Sequence, residues 1–177
     1  NESAMAASEQ IPFFSCIIST RDRPELFHIA LQSVLDKTFS TREIVVVIDG
    51  SSAANLAKYE QLRQLHRDVT FIELQHRANG HGQSYTMNLG AANSRGQYLC
   101  FLDDDDQWTD SGYLEHVFNS LTASPDLVEV HYSHQHAVDS NGVMQSIDLW
   151  LNYLIPKLSS RPHNAQDSYR VDTAFLL

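Results

Sequence analysis

Four consecutive carboxylates, Asp103-Asp104-Asp105-Asp106, close the run Gln97-Tyr98-Leu99-Cys100-Phe101-Leu102 and precede Gln107-Trp108. Carboxylate oxygens suit Mg²⁺ or Mn²⁺, and an ion held through one or two of them keeps positions open for the phosphate oxygens of a ligand. The plainer account is an acidic turn after a buried strand, because short motifs recur by chance. Two other polar positions follow apolar runs in the same way: Ser19-Thr20 comes after Phe13-Phe14-Ser15-Cys16-Ile17-Ile18, and Asp49 after Glu43-Ile44-Val45-Val46-Val47-Ile48. Each has an ordinary structural explanation, Asp49 as a turn former before Gly50 and Thr20 as a helix or turn cap. Together they supply what a nucleotide needs. Asp49 could accept from the imide N–H of a uracil, Thr20 and nearby backbone could hold base or ribose, and a metal at the aspartates could neutralise a diphosphate.

The elements that must position these groups can be read from the apolar periodicity. Residues 13–18 and 43–48 read as buried strands, the second almost continuously β-branched, as parallel strands covered on both faces tend to be. Between them Pro24 suits the first turn of a helix, with an apolar stripe of Leu26, Phe27, Ile29, Ala30, Leu31, Val34 and Leu35. Asp49-Gly50-Ser51-Ser52 reads as a turn and helix cap before a second amphipathic helix carrying Leu56, Tyr59, Leu62 and Leu65. Residues 69–74 form a third strand, Gly80-His81-Gly82 leads into a helix over about residues 83–93, and residues 98–102 form the strand that ends at the aspartates. The order βαβαβαβ predicts an α/β domain with a mostly parallel, Rossmann-like sheet flanked by helices on both faces, whose ligands bind beyond the carboxyl ends of the strands. Ser19-Thr20, Asp49 and the aspartates all fall at such ends.

Composition narrows the partners. In 177 residues, 12 basic against 22 acidic side chains give a net charge of −10, which disfavours broad contact with nucleic acid or an anionic membrane face. A phosphate-bearing ligand would then need a metal. Cys16 and Cys100 both lie in apolar strand-like runs, so buried free thiols in a reducing, cytoplasmic setting are expected rather than a disulfide. No apolar run reaches the length of a transmembrane helix and no signal peptide is visible. The absence of GxGxxG after the first strand sets a dinucleotide-dependent oxidoreductase low, and no P-loop pattern is present.

Four ordered blocks carry a family resemblance: Ser15-Cys16-Ile17-Ile18-Ser19-Thr20-Arg21-Asp22-Arg23-Pro24, Val47-Ile48-Asp49-Gly50-Ser51, residues 82–90, and Phe101-Leu102-Asp103-Asp104-Asp105-Asp106-Gln107-Trp108. They resemble the nucleotide-sugar-binding region of the family 2 glycosyltransferases of GT-A fold. The likeness spans about residues 12–142, including Tyr132-Ser133 and the Asp139-Ser140-Asn141-Gly142 turn. It implies inverting transfer of a sugar from a nucleotide diphosphate, most often UDP-linked, assisted by Mn²⁺ or Mg²⁺. Residue by residue, it implies donor binding by Ser19, Thr20, Arg21, Asp49, Gly82, Asp103 and Asp104, with Asp105 as the metal ligand and Asp106 behind it. A domain keeping this fold for non-catalytic nucleotide-sugar binding or scaffolding is the alternative.

The sequence also departs from the family pattern. Ile48 replaces the first of the usual paired carboxylates, Arg21 takes the place of a frequent tyrosine, and Met87 stands where many relatives have arginine. The resemblance places the catalytic base in an acidic motif well after the metal aspartate. After Gly142 only Asp148, Asp167 and Asp172 remain before Leu177, none in that context, so the base is expected beyond Leu177. The organisation expected is a disordered leader or an expression remnant over residues 1–10, a nucleotide-sugar-binding domain over 11–142 and the start of an apparently truncated acceptor-side region over 143–177, with the saccharide, lipid-linked or protein acceptor undefined and contact with the inner face of a membrane compatible. Of His131, His134 and His136, the last two satisfy the strand period of two, but no cysteine pair or HExxH pattern supports a zinc site, and a polar edge strand accounts for them. Trp108 is expected to pack under the acidic loop, and Trp150 lies in an apolar stretch.

Overall fold

The computed structural model describes residues 10–123, 130–133, 135–139, 141–146 and 156. The chain divides into two compact units, residues 1–114 and 115–177. In the first unit the elements are β1 (Phe14–Thr20), α1 (Pro24–Leu35), β2 (Arg42–Ile48), α2 (Ala53–Leu65), β3 (Thr70–Glu73), α3 (Gln83–Ala92) and β4 (Tyr98–Asp103); α4 (Tyr113–Thr122) begins at its end. Four parallel strands form one sheet in the order β3-β2-β1-β4. In the second unit β5 (Ala137–Val138) and β6 (Met144–Gln145) pair antiparallel across a turn in which Asp139 Oδ1 accepts from the backbone N–H groups of Asn141 and Val143.

The strand order explains where the helices lie. Parallel crossovers are right-handed, so a chain stepping from β1 outward through β2 to β3 keeps its connections on one face, and the return to β4 must run over the other. Phe27 of α1 packs against Tyr59 of α2 and Phe71 of β3, on the face that Val46 shares by register. On the opposite face, Gly90 of α3 sits so close to Ile17 that a Cβ there would come within 2.5 Å of the Ile17 side chain. Both faces of the two central strands are therefore covered, and residues 44–48 are all buried, as their β-branched run predicts.

The apolar stripe of α1 is narrower than the sequence suggests. Phe27, Ala30, Leu31 and Val34 are buried at i, i+3, i+4 and i+7, whereas Leu26 and Ile29 are 43% and 54% exposed. A helix lying on a sheet buries one stripe, and these two residues flank it. The expected Ser52 cap also changes: Ser52 is the N-cap of α2 but its side chain caps nothing. Instead Asp22 Oδ1, from the loop after β1, accepts from the Ser52 N–H at 2.7 Å and from Asn55 Nδ2 at 3.0 Å. Those donations, Asn55 foremost, hold the Asp22 carboxyl below its ordinary range. Asp22 adopts φ 54°, a left-handed conformation that an aspartate tolerates better than most residues.

Cys16 and Cys100 are free, as expected, and face each other in register across β1 and β4. Cys16 is buried and Cys100 partly exposed. The Cys16 thiol is pushed well up by its hydrogen bond to Cys100 and by burial. Among the described residues no helix is long and apolar enough to cross a membrane.

Candidate functional site

The strand order reverses between β1 and β4, and a crevice at such a switch point, beyond the carboxyl ends of the strands, is where open α/β sheets take ligands. There the chain forms a cleft of about 300 Å³ lined by Ser19, Thr20, Arg21, Arg23, Asp49, Gln83, Asp103, Asp104 and Asp105. Every side chain marked for donor or metal contact from the sequence lines it except Gly82, which lies next to Gln83 at the N-cap of α3. Arg23 and Gln83 line it too, although the sequence pattern gives neither a role.

Alternation along β4 and its continuation sends the aspartates in different directions. Asp103 accepts from Gln83 Nε2 at 2.5 Å on the α3 side. Asp104 turns inward and is 1% exposed. Burial pushes its carboxyl above the ordinary range, despite the Thr20 hydroxyl and the Arg23 guanidinium nearby. Asp104 Oδ1 accepts from Arg23 Nη2, while Asp104 Oδ2 is buried with no hydrogen-bond partner. Asp105 is 48% exposed, and its Oδ2 accepts from Arg23 Nη1 at 2.7 Å. One guanidinium thus forks across two neighbouring carboxylates. Asp106 is exposed, yet partial desolvation within the acidic loop, with Asp103 and Asp105 close by, raises its carboxyl. Among the described residues no three His, Cys, Asp or Glu side chains converge as a ready metal cage.

The β1 side is built on Tyr59, an α2 residue expected only as core. Its hydroxyl lies 2.7 Å from Thr20 Oγ1 and accepts from the Arg23 backbone N–H at 3.2 Å. Ser19 Oγ lies 2.6 Å from Thr86 Oγ1 of α3. Arg21 Nη2 donates to the carbonyls of Arg77 and Ala78 at 3.0 and 2.8 Å, which ties the loop before α3 to the end of β1.

Asp49 organises that loop. Its carboxylate accepts from the His81 N–H at 2.7 Å, the Gly82 N–H at 3.1 Å and the His81 ring at Nδ1 at 2.8 Å. Burial pushes the Asp49 carboxyl up, but these donations prevail and leave it below the ordinary range. His81 in turn stacks on Tyr85, with ring centroids 5.4 Å apart. Gly80 carries φ +69°, and a Cβ there would meet Asp49 Oδ2 at 2.5 Å and Arg21 Nη1 at 2.9 Å. The φ favours glycine by itself, and the overlap falls on two side-chain tips that their own hydrogen bonds hold in place.

The acidic loop is also held from behind. Lys37 Nζ donates to the Trp108 carbonyl at 2.8 Å, and the Trp108 N–H donates to Ser33 Oγ at 3.1 Å. Trp108 packs against Tyr113 at 4.9 Å. Burial draws the Lys37 ammonium below its ordinary value. His134 lies outside the described residues, as do Asp148, Trp150, Asp167 and Asp172.

Residues 15–176 match the family model described as Glycosyl transferase family 2. The chain is 31% identical over 91 residues to the glycosyltransferase GlyA of Streptococcus pneumoniae serotype 4, covering 51% of this chain and 12% of GlyA. It superposes on Staphylococcus aureus TarS 1-349 in complex with UDP-GlcNAc with a TM-score of 0.53 at 23% identity, over 62% of this chain and 31% of that one. It superposes on the mannosyltransferase PcManGT of Pyrobaculum calidifontis, in complex with GDP-Man and Mn²⁺, with a TM-score of 0.55 at 19% identity, over 64% and 33%. The chain therefore spans a third or less of each of these relatives. With the parallel sheet and helices on both faces, these likenesses identify the GT-A fold.

Proposed function

The chain belongs to glycosyl transferase family 2, and from that premise we propose that it binds a UDP-sugar in the cleft between the ends of β1 and β4 and serves its inverting transfer to an acceptor hydroxyl, assisted by Mn²⁺ or Mg²⁺. The observation that carries the reading is the cleft itself, where Asp49, Thr20 and Asp103 to Asp105 meet at the switch point of the sheet. Support for the nucleotide comes from the TarS complex with UDP-GlcNAc, and for the ion from the PcManGT complex with Mn²⁺.

The residues fit a divalent ion by donor chemistry. Asp105 offers a half-exposed hard oxygen donor at the cleft, and Asp104 Oδ2 is a buried acceptor still without a partner. Mg²⁺ and Mn²⁺ are commonly held by one or two carboxylates, with substrate phosphates completing the shell. When bound, such an ion would neutralise the charge that develops on the departing diphosphate. The protein's own groups divide the remaining work. Asp49 fixes the loop at residues 80–82 against the end of β1, and the face so formed would receive the base. Asp103, at the end of β4, stands where ribose hydroxyls would find an acceptor. In the transfer the acceptor oxygen forms a bond to the anomeric carbon as the bond to the diphosphate breaks, and its proton needs a base. We assign that base to no described residue.

Titration calorimetry with UDP and GDP, each with Mn²⁺ and with chelator, tests the reading. UDP binding that strengthens at least tenfold with Mn²⁺ is expected, and equal affinity in chelator would remove the metal from the site. No binding of either nucleotide would overturn the proposal.

A further inference from the structure

We infer that Arg23 is a built-in counter-cation of the acidic loop, holding Asp104 and Asp105 together until a divalent ion takes Asp105 from it. The inference rests on the metal-dependent reading of the cleft, but it concerns a residue of this chain that the family resemblance leaves without a role.

The geometry makes Arg23 a fixed fork rather than a wandering surface side chain. Its backbone N–H is anchored on the buried Tyr59 hydroxyl, and Pro24 at the start of α1 fixes the next step of the chain. From that base Nη2 reaches Asp104 Oδ1 and Nη1 reaches Asp105 Oδ2 at 2.7 Å, across more than eighty residues of sequence. A planar guanidinium suits this double contact, which a lysine ammonium cannot reproduce.

The two halves of the fork differ in strength. Asp104 is 1% exposed, so removing its cation would leave a buried charge uncompensated, and that half should persist. Both Asp105 and Arg23 are 48% exposed, and solvent screens an ion pair of that kind to little net worth. Exchange therefore belongs at Asp105. A guanidinium on Asp105 Oδ2 occupies the oxygen an incoming ion needs and repels its charge, so the cleft without ligand resists metal loading.

Mn²⁺ titrations followed by the electron-spin resonance of the free ion, without nucleotide, test this on the parent, R23K and R23Q. Removing the competing cation should tighten Mn²⁺ binding by roughly tenfold in R23Q, with a smaller gain in R23K, which keeps one charge but not the fork. Circular dichroism and melting establish that each variant is folded; if R23Q loses its fold, R23K carries the comparison. Unchanged or weaker Mn²⁺ binding in the folded variants overturns the inference and leaves Arg23 a structural tie. Uptake of Mn²⁺ by none of the three proteins also overturns it. UDP titrations on the same samples then show whether donor binding stands without the ion, which separates this failure from failure of the proposed function.

Discussion

His81 Nδ1 lies 2.8 Å from Asp49 Oδ1, and the same carboxylate accepts from the backbone N–H groups of His81 and Gly82. A residue at the end of β2 thus determines the shape of the loop that enters α3. Any contact of Asp49 with a base would be made by a carboxylate already committed to this loop.

Asp49→Asn is accordingly expected to cost both stability and nucleotide affinity. The amide offers one acceptor oxygen and places a donor against N–H groups, so partners inside the protein are left unsatisfied, at about 1–3 kcal/mol. Urea unfolding measures the first effect and UDP titration the second. A variant that loses UDP affinity with unchanged stability would mean that the loop contacts are dispensable and that Asp49 acts on the base alone.

Gly80→Ala tests the same loop from the other side. The left-handed φ is strained for alanine whatever the space, and the overlap with Asp49 Oδ2 and Arg21 Nη1 can be relieved only by disturbing their hydrogen bonds to the loop. A loss of more than about 1 kcal/mol is expected from the backbone conformation alone, before the overlap is counted. A melting temperature equal to the parent's would show that the loop rearranges freely.

The strands and the convergence of Ser19, Thr20, Asp49 and Asp103 to Asp105 were legible because alternation of strand and helix dictates a parallel sheet, and strand ends follow from where apolar runs stop. The bounds of β2 differ from the sequence reading by one residue, since its β-branched run allows little else. The exposure of Leu99 and Phe101, 44% and 53%, was not legible, because a run of residues does not say that β4 lies at the edge of the four-strand order. Nor was the Arg23 fork. Its partners are 81 and 82 residues away, and the sequence shows only a cation beside Pro24. The one local sign was chemical: an acidic donor edge needs some counter-cation, and Arg21 and Arg23 are the basic residues that line it.

Asp105→Ala should remove the Mn²⁺-dependent part of UDP binding while changing stability by less than about 1 kcal/mol, because its ion pair with Arg23 is half exposed on both sides. Calorimetry and thermal melting on one preparation check both halves. A large fall in melting temperature would instead make Asp105 a structural partner of Arg23.

At the other end of the sheet, Glu43 offers a pH test that leaves the cleft untouched. Its Oε1 accepts from Ser15 Oγ at 2.6 Å and from the N–H groups of Arg95 and Gly96 at 2.5 and 3.2 Å, tying β1, β2 and the turn before β4. Burial pushes the Glu43 carboxyl up, but the Ser15 and Arg95 donations outweigh it and leave the group below its ordinary value of 4.5. A carboxylate depressed in the folded state stabilises the fold fully above its unfolded value, and that contribution is lost as pH falls through the folded value. Glu43→Gln should therefore cost about 1–2 kcal/mol at pH 7, as a charged acceptor becomes a neutral one. Below pH 4.5 the gap between parent and variant should narrow, because the parent's advantage titrates away. Urea unfolding at a series of pH values from 7 to 3 reads this directly. A gap that stays constant across that range would mean that Glu43 contributes through shape and hydrogen bonding alone, with its charge immaterial.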